Sequence, residues 1–185
     1  MADTLKILGF AGSLRKGSFN RSLLRAAVEL APPGMTVEPF DLEGIPLFNQ
    51  DLEGNPPEKV KDFKSRIRQA DGILIVTPEY NYSIPGVLKN AIDHATRPYG
   101  DNPFDGKPVA ITGASVGTLG SARAQYHLRQ CCVFLNMFPV NRPEVLVSNA
   151  DKKFDEQGKL TDPKTREYVG ELLKALGAWT RKLKG

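Results

Sequence analysis

Residues 12–20 read Gly-Ser-Leu-Arg-Lys-Gly-Ser-Phe-Asn, directly after the apolar run Leu5–Ala11. Ser13 and Ser18 bring hydroxyl donors, Asn20 an amide and Arg15 a forked guanidinium. Leu24, Ala27, Val28 and Ala31 then recur at helical spacing, so the first amides of a helix point at the same place. Such parts bind a phosphomonoester. Their spacing fits neither of two common phosphate loops. No G-x-x-x-x-G-K is followed by Ser or Thr, and Gly9-Phe-Ala-Gly12 does not open a G-x-G-x-x-G. The plainer alternative is a solvated basic turn capping a helix, and placement after a strand favours phosphate over it.

Two further segments carry chemistry. In Thr77-Pro-Glu-Tyr-Asn-Tyr-Ser-Ile-Pro-Gly86, Pro78 and Pro85 stiffen the chain, while Tyr80 and Tyr82 offer aromatic walls. Backbone groups of Glu79, Tyr80 and Asn81 can pair with the edge of a planar heterocycle. Gly113-Ala-Ser-Val-Gly-Thr-Leu-Gly120 contains G-x-S-x-G, which raises a serine esterase with Ser115 as nucleophile. That chemistry needs an acid and then a histidine after the serine. Here His127 comes first, on the helix that starts just past the loop, and no acid precedes Glu144. The order and the reach are both wrong.

These segments need elements to hold them. Strands are expected at Leu5–Ala11, Met35–Phe40, Gly72–Thr77, Pro108–Thr112 and Glu144–Ser148. Between them lie helical patterns: Glu58–Ala70 with Val60, Phe63 and Ile67; a helix after Pro85 with Val87, Leu88, Ala91, Ile92 and Ala95; and Ser121–Leu135 with Ala124, Leu128, Cys131 and Leu135 inward. Asp162-Pro163 caps a last helix with Val169, Leu172, Leu173, Leu176 and Leu183 facing inward. Alternating strands and helices predict a doubly wound α/β domain over residues 1–185, with a five-stranded parallel sheet in the order 2-1-3-4-5. All three loops follow strands, so they meet at the carboxyl edge of the sheet, where such folds bind ligands. The long loop Gly44–Pro57 is expected to cover that crevice.

Composition narrows the partners. The net charge is +4 with mixed signs outside Arg15, Lys16, Arg21 and Arg25, which suits a small anion better than nucleic acid. Cys131 and Cys132 are adjacent and lack the spacing of a disulfide framework or a metal site. No apolar run spans a membrane and the first residues do not read as a signal peptide, so a cytoplasmic location is expected.

The linked motifs G-S-x-R-x-x-S-x-N and P-E-Y-N-x-S-x-P-G-x-L-K-N-A-I-D resemble the NADPH-dependent FMN reductase family, in its quinone reductase branch that also reduces chromate, ferric and azo compounds. The similarity runs through Ala122–Arg129 and Asn141–Glu144. It implies a flavodoxin-like fold and noncovalent FMN, one per chain, with NADPH or NADH as donor. By the resemblance Ser13, Arg15, Ser18, Phe19 and Asn20 hold the phosphate end, Pro78, Glu79, Tyr80 and Asn81 line the isoalloxazine, and Ser115 with Gly117 closes the site. Phe48 and His94 stand where Tyr and Trp are usual. Hydride transfer to and from a flavin requires no acid or base of the protein, so no catalytic residue is assigned, and one face used twice implies ping-pong kinetics. A flavodoxin-like electron carrier is the alternative; such carriers are usually acidic, and this chain is basic. A homodimer pairing through Gly86–Thr96 is expected, with Arg123, Tyr126 and Glu144 as contacts that would extend it to a homotetramer.

Overall fold

Strands whose apolar residues occur on both faces need helices on both sides, and the chain supplies them. The computed structural model describes residues 4–185; residues 1–3, on which the reading of the extreme N-terminus partly rests, lie outside it. In chain order the elements are β1 (Leu5–Ala11), α1 (Phe19–Glu29), β2 (Met35–Phe40), α2 (Glu58–Gln69), β3 (Gly72–Val76) and α3 (Gly86–Ala95). There follow β4 (Pro108–Ala114), α4 (Ala122–Leu135), β5 (Phe138–Pro139), β6 (Val145–Val147) and α5 (Pro163–Lys184). Every strand pairing is parallel, in the order β2-β1-β3-β4-β5 with β6 also on β4. This is the doubly wound, flavodoxin-like arrangement.

Alternate strand residues enter opposite cores. Ile7, Ala11, Leu74 and Val76 pack with Leu23, Leu24 and Ala27 of α1 and Leu172, Leu173 and Leu176 of α5. Leu8, Phe10, Ile73 and Ile75 pack with Phe63 and Ile67 of α2, Leu88 and Ile92 of α3, and Leu128 of α4. Phe63 anchors the second core, edge-on to Phe10 at 5.2 Å and stacked on Phe40 at 4.9 Å. Gly9 decides how closely α1 docks, since a Cβ there would lie 2.6 Å from Leu24 Cδ1.

The sheet differs from expectation at its fifth position. Instead of one strand over Glu144–Ser148, two short strands share it: Pro108 pairs with Phe138, and Thr112–Ala114 with Val145–Val147. A proline marks the interruption. The ladder runs through Pro139 to the Val140 amide on Val109 O at 2.8 Å, and Pro143, which lacks an amide, lies in the stretch 141–144 that leaves it. Helix phases shift slightly as well. Cys132, not Cys131, is the buried cysteine of α4, and Leu183 is exposed near the end of α5. Burial pushes the Cys132 thiol up to about 12, so at neutral pH it remains protonated.

On α3 the apolar residues Leu88, Ala91, Ile92 and Ala95 go to the core, and the surface carries the Lys89–Asp93 pair. Among the described residues no helix is long and apolar enough to cross a membrane.

Candidate functional site

The first loop closes on itself before α1 begins. The Ser18 amide donates to Arg15 O at 3.0 Å, and Ser18 is the helix N-cap, its Oγ accepting the Asn20 amide at 3.2 Å. An oxygen that accepts from the backbone leaves its own proton free to donate. The first turn of α1 carries no acid. Arg15 is exposed, with its guanidinium 5.8 Å from the centre of the Phe19 ring and no carboxylate partner among the described residues. Asn20 has a further job. Its Nδ2 donates to Ala114 O at 2.9 Å and its Oδ1 accepts the Ala114 amide at 2.8 Å, tying α1 to the end of β4. One Nδ2 hydrogen is left for a ligand.

The second loop is a two-residue hairpin. Tyr80 and Ser83 exchange both backbone hydrogen bonds at 3.0 Å, and the residues between them, Asn81 and Tyr82, have φ of 50° and 66°. That is a type I′ turn. Asn81, expected along a bound ring, lies outside the cleft lining; it serves the turn, because asparagine tolerates the left-handed region. Tyr82 tolerates it less well, and its ring lies 3.6 Å from the Arg123 guanidinium.

Glu79 turns away from proton chemistry. One carboxylate oxygen accepts the Arg123 amide at 2.9 Å and the Ala124 amide at 3.4 Å, and the other meets the Arg123 guanidinium at 2.5 Å. The residue in the N-cap position of α4, Ser121, is left-handed and makes no side-chain cap bond. Glu79 therefore caps α4 from another loop, where the helix dipole favours a negative charge.

Loops two and three converge because residue 113 is glycine: a Cβ there would sit 1.9 Å from Thr77 O. In the third loop Ser115 Oγ accepts the Gly117 amide at 3.1 Å, while its backbone bonds Val147 O and the Ala150 amide. Gly117 belongs to that turn and not to the cleft lining. His127 Nδ1 lies 3.0 Å from Ser83 Oγ, and His94 Nε2 3.1 Å from Pro46 O. Both histidines of the chain are thus engaged elsewhere, and Ser115 has no base.

The loops enclose a cleft of about 250 Å³. Ser13, Arg15, Ser18, Phe19 and Asn20 border it from the first loop, Pro78, Glu79 and Tyr80 from the second, and Ser115 from the third. Ala114 and Val116 also line it and were missed, although the end of an expected strand at this edge was the signal for them. A larger cleft of about 400 Å³ lies around Trp179 and Arg142, but no hydroxyl or helix N-terminus converges there. Residues 44–57 do not cover the site cleft. Pro46 O accepts from Asn90 Nδ2 at 2.7 Å and Phe48 stands edge-on to His94 at 5.2 Å, which fastens that loop to α3. No group of three His, Cys, Asp or Glu among the described residues is arranged to hold a metal ion.

Known proteins resemble this chain in sequence and fold. The NADPH-dependent FMN reductase family profile matches residues 5–152. An NAD(P)H-dependent FMN reductase of Pseudomonas aeruginosa is 54% identical over 187 residues, covering 100% of both chains. A 2-hydroxy-1,4-benzoquinone reductase of Burkholderia is 45% identical, over 96% of this chain and 97% of its own. Among solved structures, the flavoenzyme NAD(P)H:(acceptor) oxidoreductase FerB of Paracoccus denitrificans superposes with a TM-score of 0.88 at 36% identity, over 96% of this chain and 98% of its own.

Proposed function

The chain belongs to the NADPH-dependent FMN reductase family, and from that premise we propose that it is an NAD(P)H:quinone reductase with FMN held in the cleft between its three loops. The observation that carries this reading is the unpaired donor set at the start of α1. Ser18 has a free hydroxyl proton, Arg15 has no carboxylate partner among the described residues, Ser13 borders the same cleft, and Glu79, the acid on its lining, is already held by Arg123 and the first amides of α4. A dianionic phosphate satisfies all of them. One short loop with one helix N-terminus accommodates a monoester and not the second phosphate of FAD.

When bound, FMN supplies the redox chemistry, taking hydride from NAD(P)H and passing it to the acceptor. The chain's own groups bind and orient it. Pro78, Tyr80, Ser115 and Val116 line the cleft, and Glu79 stays committed to α4. A flavin held here would need an open approach for the nicotinamide and the acceptor, and the cleft is open to solvent rather than an enclosed cavity. Quinones lead the acceptor series; chromate, ferric and azo or nitro compounds and free flavin are the finer extension.

Purified, FMN-loaded protein tests this with an acceptor panel. We expect NAD(P)H-dependent quinone reduction with parallel double-reciprocal lines and one FMN per chain. Intersecting lines would overturn the ping-pong scheme, and absence of NAD(P)H oxidation with any acceptor would overturn the function.

The enzyme is proposed to be at least a homodimer. Val133 and Phe134 near the end of α4 are 82% and 74% exposed, which favours a covered face there. A tetramer through Arg123, Tyr126 and Glu144 would have to share groups already paired within the chain, since Tyr126 donates to Glu144 at 3.2 Å and Arg123 holds Glu79. A monomeric mass by light scattering at full activity would remove the dimer.

A further inference from the structure

We propose that Arg123 is a positioning residue for the flavin: by holding Glu79 and Tyr82 together it locks the Tyr80–Ser83 turn to the start of α4 and so fixes the width of the cofactor cleft. The inference rests on FMN occupying that cleft. It assigns no contact between Arg123 and the cofactor, because Arg123 is not among the residues that line the cleft.

Three features make the lock more than a surface ion pair. First, Glu79 is only 8% exposed at its side chain and its carboxylate takes both the guanidinium and the first amides of α4. Arg123 itself is 36% exposed, so its removal leaves the buried Glu79 carboxylate held only by the α4 amides, with water screening part of the loss. Second, Tyr82 holds a left-handed backbone that a bulky residue disfavours, and the Arg123 guanidinium over its ring keeps it there. Third, the lock joins two of the loops. Glu79 and Tyr80 of the second loop line the cleft, and α4 continues from the third loop, whose Ser115 and Val116 line it too. One arginine spans both, using its planar fork on a carboxylate and its face on an aromatic ring.

The test begins with the FMN content of the purified parent protein and the release of FMN from the holoenzyme on serial dilution, read by flavin fluorescence. A parent that holds no FMN overturns the functional reading and this inference with it. With FMN in the parent, Arg123→Ala is expected to raise the FMN dissociation constant about tenfold or more and to change the visible circular dichroism of the bound flavin. Glu79→Gln should do the same, and the double variant should be no weaker than the worse single, since both act through one lock. Arg123→Lys keeps charge without fork or stacking face and should fall between parent and alanine. FMN release within twofold of the parent together with a parental flavin spectrum in Arg123→Ala, or losses that multiply in the double variant, would overturn the lock while leaving the function in place. Should Arg123→Ala fail to fold, Tyr82→Leu decides the question: it leaves the ion pair intact and is expected to bind FMN about threefold more weakly, and parental affinity in it would overturn the proposal.

Discussion

The two edges of the sheet treat their charges in opposite ways. At the amino edge a group of strong charges is paired within the chain. Lys184 reaches Asp71 at 2.5 Å, Asp71 also accepts the Lys6 amide at 2.7 Å, and Lys107 Nζ donates to Arg68 O and Ala70 O. Nearby, Lys64 pairs with Asp101 at 2.7 Å, Arg68 joins the same carboxylate, and Lys64 also donates to Arg97 O. At the carboxyl edge Arg15 and the hydroxyl protons of the first loop have none of this. The contrast teaches where function sits. Donors left unpaired beside a cleft, while neighbouring charges such as Arg21 and Arg123 are paired, are what a bound anion would complete. The second loop, whose charges are closed like those of the amino edge, is then scaffold for the first.

The largest expected effect separates capping from phosphate binding. Ser18→Asp keeps an N-cap of equal quality and puts a favourable charge at the helix N-terminus. It also places a carboxylate where the phosphate belongs. FMN affinity should fall at least about 100-fold, near 2.8 kcal/mol, while the melting temperature stays within a few degrees of the parent. Unchanged FMN binding in this variant would reduce the first loop to a helix cap.

The mirror experiment is at the other edge. Asp101→Ala strips the partner from Lys64, whose side chain is 6% exposed, but Asp101 itself is 44% exposed and water screens part of the loss. A destabilisation of about 1–3 kcal/mol is expected by denaturant unfolding, with FMN affinity unchanged. A loss of FMN binding equal to that of Ser18→Asp would erase the distinction between the edges.

Acid sharpens it further. Partial burial works to raise the carboxyls of Asp71 and Asp101, but Lys184 with the Lys6 amide, and Lys64 with Arg68, outweigh it and hold both below the usual carboxylate range. A depressed folded pKa adds stability that is present above the unfolded value, near 4, and is lost as pH falls through the folded value. The parent should therefore lose stability on acidification below about pH 4. Asp101→Asn should be less stable at neutral pH and flatter across that acid window; an identical slope would show that Asp101 takes no part.

How far the sequence disclosed this follows from how local each signal is. The limits of β1 and β2 matched because each is a short apolar run bounded by turn residues. The division of the fifth position into β5 and β6 was hidden by prolines that break the pattern strands are read from. At the candidate site, residue types singled out three loops that the fold brings together, but two roles lay beyond reach. Asn20 bonds Ala114, 94 residues away, and Glu79 caps a helix 44 residues on. Local spacing carries no information about partners that distant; only the assembled sheet brings them together.

Ser115 gives the smallest effect and the finest test, because it lies on the cleft yet is already part of the scaffold. Its Oγ accepts the Gly117 amide, so its remaining proton can give a ligand one hydrogen bond. Ser115→Ala therefore loses one neutral bond to the flavin, about 0.5–1.5 kcal/mol, or roughly tenfold or less in affinity. With FMN titrated to saturation, NAD(P)H-dependent turnover should stay close to the parent. A nucleophile behaves otherwise: removing it costs many powers of ten in turnover whatever the cofactor occupancy. The positions of His127 on Ser83 and His94 on Pro46 already deny Ser115 a base. The titration must precede the rate measurement, since a weakly loaded enzyme mimics lost chemistry. Inactivity of fully loaded Ser115→Ala, or covalent labelling of Ser115 in the parent by a serine-directed phosphonate, would move the chemistry from the cofactor to the chain and end the contrast between a poised first loop and a structural third.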